Sequence, residues 1–130
     1  MSRSGDDALA GLERIAGLKA DLEMRRLAAF RTHVEAARHR ISRLQAEFAS
    51  LGRSDQPFSV AGARLTNALA GECSRALLAA EDELARMLPG YEAARQAALR
   101  EFGRVQALRS LRRDLATQSR RPGRAGQGDG

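Results

Sequence analysis

The sequence predicts an all-α fold: a long antiparallel two-helix coiled coil, folded as a hairpin. Three observations predict it. Leu27, Phe30, Val34, Ala37, Ile41, Leu44, Phe48 and Leu51 recur in steps of 3 and 4. This 3.5-residue average stays on one helix face only when the helix supercoils against a partner. Gly52-Arg-Ser-Asp-Gln-Pro57 then breaks the chain, and a second helical-period run extends as far as Leu115. Finally, aromatic residues make up only 4 % of 130 residues, Trp is absent, and the 43 % hydrophobic content is largely Ala and Leu. Such a chain has enough for one domain with a narrow interhelical seam, not for a thick core. No stretch shows the alternation of a β-strand.

The first helix is expected over about residues 6–51, with Asp6 or Asp7 as its cap. Leu9, Leu12, Ile15, Leu18 and Leu22 supply its early apolar face. The step from Leu22 to Leu27 is five residues, so the stripe slips there and looser packing is expected. Gly11 and Gly17 weaken this stretch by about 1 kcal/mol each where exposed. Gly52 suits the residue after a helix end, and Pro57 forbids continuation.

The second helix is expected over 59–119 with Ser59 as N-cap. Its apolar positions are Leu65, Leu69, Ala76, Leu77, Ala80, Leu84, Leu88, Tyr91, Ala98, Phe102, Val105, Leu108, Leu111 and Leu115. A short connection makes the helices antiparallel neighbours. Folding about residue 56 sets Phe48 near Leu65, Leu44 near Leu69 and Leu12 near Arg100. Pro89-Gly90 either kinks the second helix or separates it into two. The stripe from Leu84 through Leu88, Tyr91, Ala98, Phe102 and Val105 runs straight past Pro89, and Met87 to Tyr91 holds no polar residue, so the kink is the better reading. A first helix of about 45 residues and a second of nearly 60 leave residues 104–119 overhanging. The Gly-rich tail 120–130 is expected to be disordered.

The charge is uneven. Residues 1–99 carry 14 basic and 13 acidic side chains, whereas residues 100–124 carry eight Arg against Glu101 and Asp114. The basicity therefore belongs to the C-terminal end. The use of 21 Arg and one Lys reads as coding bias in a GC-rich genome more than as a nucleic-acid signature. The lone Cys73 excludes an internal disulfide and a cysteine zinc site, and reads as a small, half-buried helix residue. No run of about 18 apolar residues encodes a membrane span, and the first residues lack the apolar core of a signal peptide, so a cytoplasmic protein is expected.

Catalysis is not expected, and neither is a cofactor, a metal or a small-molecule substrate. His33 and His39 lie six apart on different helix faces, Glu81-Asp82-Glu83 reads as a solvated face, and the C-terminal glycines lack a Walker lysine and a following helix. Val105, Leu108, Leu111 and Leu115 form a stripe flanked by Arg104, Arg109, Arg112 and Arg113. It reads either as a solvated helix end favoured by the helix dipole or as a docking surface whose unpaired leucines meet another protein. Nucleic acid is a poorer partner, because only Phe102 offers a ring to stack on.

The size, the two-helix plan and the Leu- and Arg-rich stretch Ala97-Ala-Leu-Arg-Glu-Phe-Gly-Arg-Val-Gln-Ala-Leu-Arg-Ser-Leu-Arg-Arg113 resemble the FliJ/YscO family, the coiled-coil export proteins of flagella and type III secretion systems. The resemblance covers most of residues 6–119. Two departures are Pro89-Gly90 within the second helix and a chain shorter than many members have. It implies a non-enzymatic stalk and adaptor seated in a hexameric export ATPase, touching the export gate and chaperone proteins, in the cytoplasm and peripheral to the inner membrane. By that resemblance Arg104, Leu108, Arg109, Leu111, Arg112 and Arg113 would face the ATPase, while Gln45, Phe48, Leu65 and Leu69 at the turn would face the gate. The alternatives are a basic, nucleic-acid-associated helical protein and a generic self-associating scaffold.

Overall fold

The computed structural model describes residues 2–53 and 57–120. It is all-α: α1 spans Ser2–Leu51 and α2 spans Val60–Ser119, and the two form a helical hairpin. Of the tail expected over 120–130, only Arg120 is described. It closes α2, its N–H donating to the carbonyls of Ala116 and Thr117. The rest of the tail lies outside the described residues. The chain divides into two compact units: Ala28–Ala93, containing the turn, and Met1–Leu27 with Ala94–Gly130, containing both helix ends.

Within the turn unit, the buried or half-buried positions of α1 are Phe30, Val34, Ala37, Ile41, Leu44 and Leu51. Those of α2 include Ala63, Thr66, Ala70, Cys73, Leu77, Ala80, Leu84, Met87 and Tyr91. Both sets step by 3 and 4, with only the exposed Phe48 dropping out of the α1 series, so the expected heptad seam forms. Large residues meet small ones. The Phe30 ring lies over Gly90 so closely that a Cβ there would be 2.9 Å from Phe30 Cε1. The Cys73 thiol is buried, not half-buried, and donates to the Leu44 carbonyl at 3.3 Å.

Ser59 caps α2 as its sequence position predicts. Its Oγ accepts from Gly62 N–H at 3.0 Å and its carbonyl from Ala63 N–H at 2.9 Å. Gly52 ends α1 differently from a left-handed C-terminal glycine. No described glycine has positive φ, and Gly52 and Arg53 instead donate three residues back, to Ala49 and Ser50. α2 continues unbroken through Pro89, so the chain has two helices and not three. Pro89 is exposed, which leaves the carbonyl one turn earlier open to water.

Within the terminal unit, the seam departs from expectation. α1 begins at Ser2 instead of about residue 6, so Asp6 and Asp7 lie inside the helix and cap nothing. The residues turned towards α2 are Leu9, Glu13, Ala16, Ala20, Glu23 and Leu27, which keep the 4–3 rhythm without a slip. Leu12, Ile15, Leu18 and Leu22 are exposed. From α2 the seam takes Ala94, Ala98, Glu101, Val105, Leu108 and Arg112, leaving Leu99, Phe102, Leu111 and Leu115 outside. Ala16, Ala20 and Val105 form its buried cluster, with Leu108 packed against them. The buried cluster is thus built of Ala and Val, while most of the leucines of this unit, Leu9, Leu27 and Leu108 excepted, face out. Glu23 and Glu101 each bond an Arg three residues on (Arg26 at 3.3 Å, Arg104 at 3.0 Å), and each keeps one buried oxygen with no partner among the described residues.

The register also differs. Folding about residue 56 places Leu44 near Leu69, and Leu44, Leu51 and Leu69 do line one groove, but the Leu44 carbonyl accepts from Cys73, one turn further along α2. The first turns of α2 therefore rise past the end of α1. In the terminal unit Glu13 lies against Arg109 and Arg112. Arg3, Gly5 and Asp6 line one groove with Leu115, Ala116, Gln118, Ser119 and Arg120. The overhang expected over 104–119 does not exist. At the start of α2, Val60, Ala61, Gly62, Arg64 and Leu65 are exposed and Ala63 is half-buried.

Candidate docking surfaces

At the terminal end, packing and ion pairs hold most of the residues expected to meet an ATPase. Arg109 Nε donates to Glu13 Oε1 at 3.2 Å and Arg112 Nη1 to Glu13 Oε2 at 2.8 Å. Arg112 Nε also lies 3.7 Å from Asp6 Oδ1. Arg104 pairs with Glu101 on its own helix, and Leu108 packs on the buried cluster. Only Leu111 and Arg113 of the expected set remain exposed and outside these contacts. An open groove runs between Glu13, Gln106, Arg109, Arg112, Arg113 and Ala116.

Glu13 is the electrostatic centre of this end. The Arg112 hydrogen bond is the main influence holding its carboxyl below the ordinary range; partial desolvation opposes it and the Arg109 hydrogen bond adds to it. A lowered folded-state pKa stabilises the fold above the unfolded-state value of about 4.3, and that contribution is lost as pH falls through the folded value. Glu13→Gln should therefore lower the melting temperature slightly at pH 7 and leave it close to wild type near pH 2. Thermal melts at the two pH values check this, and an equal deficit at both would contradict it.

At the turn end, Gln45, Phe48, Leu65 and Leu69 are all exposed, as docking residues must be. Leu69 borders a groove formed by Leu44, Glu47, Ser50, Leu51, Glu72, Cys73 and Ala76. The sequence reading missed Phe58, 88 % exposed, and Val60 beside it. It also missed the outward stripe of Leu12, Ile15, Leu18 and Leu22, which it had assigned to the seam. The rhythm of 27–51 extends unbroken backwards through Glu23, Ala20, Ala16, Glu13 and Leu9.

His33, His39 and Glu81-Asp82-Glu83 are exposed. Among the described residues no group of three His, Cys, Asp or Glu is placed to hold a metal, and no helix is long and apolar enough to cross a membrane. No protein-family model, no curated protein and no solved structure matches the chain.

Proposed function

We propose that the protein is a non-catalytic coiled-coil stalk and adaptor of a type III or flagellar protein-export apparatus. In this reading it docks in a hexameric export ATPase, contacts export-gate and chaperone proteins, and works in the cytoplasm at the inner-membrane apparatus. The observation that carries the proposal is the inversion of the seam. The most deeply buried seam residues are Ala, Val, Cys73 and Leu27, while Leu12, Ile15, Leu18, Leu22, Leu99, Phe102, Leu111 and Leu115 stay on the outside, a surface that another protein would cover. The Leu- and Arg-rich stretch 97–113 supplies the resemblance to export stalks and so the class of partner.

The geometry favours Leu111, Arg113 and Leu115 as the docking residues at the terminal end, since Arg109 and Arg112 are engaged by Glu13. The same ion pairs argue against nucleic acid, because Glu13, Asp6 and Glu101 neutralise part of the Arg cluster.

The test is a pull-down against the cognate export ATPase with the full chain and a Leu111→Asp/Arg113→Glu/Leu115→Asp variant. Truncation is a poor test, because Val105 and Leu108 belong to the seam. The wild type should bind and the variant should lose binding while its helical circular dichroism is retained. Equal binding by both would place the contact elsewhere, and no binding by the wild type would remove the proposal.

A further inference from the structure

Two apolar stripes run along the first half of α1. One is the seam. The other steps through Ala8, Gly11, Ile15, Leu18 and Leu22 by 3 and 4 residues, with Leu12 at its edge. Ile15 is 53 %, Leu18 70 % and Leu22 55 % exposed. A second stripe with coiled-coil period on one helix is the pattern of a helix with two helical neighbours.

We infer that this stripe pairs with the same stripe of a second copy of the chain, the two α1 helices running antiparallel about a two-fold axis between Ile15 and Leu18. The charges flanking the stripe are self-complementary in that arrangement. Arg14 and Asp21 occupy the same heptad position one repeat apart, and neither makes an ion pair among the described residues. Antiparallel pairing about Ile15 and Leu18 sets Arg14 of each copy beside Asp21 of the other, giving two equivalent ion pairs.

The apolar layers match as well. Ile15 meets the second copy's Leu18, and Leu22 meets its Gly11, which has nothing within 4 Å of where a Cβ would stand. The molecule already uses this large-against-small fit where Phe30 covers Gly90. Leu12 falls beside the second copy's Lys19, whose aliphatic stem can cover it. A parallel pairing instead sets Arg14 against Lys19, like charge on like. This pairing uses a different face from the export docking, which is assigned to the α2 residues Leu111, Arg113 and Leu115.

Sedimentation equilibrium of the full chain over a concentration series tests it. The wild type should associate to a dimer, and Leu18→Lys/Leu22→Lys, at exposed positions, should be monomeric with unchanged helical content. Arg14→Glu breaks both symmetric pairs and should raise the dimer dissociation constant about tenfold. Arg14→Glu/Asp21→Arg should restore it. A monomeric wild type would overturn the inference and give the stripe to a different partner. So would a dimer indifferent to Leu18→Lys/Leu22→Lys, and failure of the charge exchange to restore affinity would overturn the antiparallel pairing.

Discussion

Pro89→Ala is expected to stabilise the protein, by up to about 3 kcal/mol. Pro89 lies deep inside α2, where its ring removes one helical hydrogen bond and crowds the preceding turn. Its side chain is exposed, so no buried contact of its own offsets that cost. An alanine restores the N–H and keeps the helix. The opposing consideration is local. Gly90 follows at once, and the Phe30 ring rests on it at a distance that tolerates no Cβ. A bend at Pro89 that seats this ring would reduce the gain. Urea denaturation separates the cases: a higher midpoint at constant slope is the expected result, and an unchanged or lower midpoint would show that the proline sets the Phe30–Gly90 fit.

The second large effect is a contrast between neighbours. Ala98 is 3 % exposed and Leu99 is 53 % exposed. Ala98→Leu pushes extra volume into a seam built on small residues and should cost about 1–3 kcal/mol. Leu99→Gln removes a larger apolar side chain from solvent and should change stability by no more than about 0.5 kcal/mol. Chemical denaturation of the two variants against wild type measures both. A ranking by side-chain size predicts the reverse, since it treats the leucine as core. Destabilisation by Leu99→Gln beyond that of Ala98→Leu would therefore contradict the seam described here.

The parts of the fold legible in the sequence are those where rhythm and size agree. From Leu27 to Leu44 the heptad positions are, Ala37 excepted, also large apolar residues, and the stripe forms as its rhythm predicts. Ser59 as cap and the break after Leu51 follow from local rules, while the continuity of α2 past Pro89 follows from the apolar stripe that runs through it against the local cost of the proline. Upstream of Leu27 rhythm and size conflict. Leu12, Ile15, Leu18 and Leu22 attract attention by bulk, while the seam keeps its period through Glu13, Ala16, Ala20 and Glu23. The regular period prevails because a helix that shifts its face loses its interlocking with the helix it packs against.

The register was not legible, because the midpoint of a connecting loop does not set which turns lie side by side. The fit of large residues against small ones does, and it is visible only when both helices are placed. The surroundings of the terminal Arg cluster are hidden from the sequence for the same reason. Eight Arg in a row of 25 residues read as an exposed basic end, but the shifted register delivers Glu13 and Asp6 to two of them.

Cysteine cross-linking in a Cys73→Ala background tests the register on which these conclusions rest. Ala16→Cys paired with Val105→Cys should form an intramolecular disulfide readily at low protein concentration, because both side chains lie in one buried cluster. Ala16→Cys paired with Gln96→Cys, the match demanded by folding about residue 56, should not. Cross-linking of the Gln96 pair in preference to the Val105 pair would contradict the register, the outward leucine stripe and the docking surfaces together.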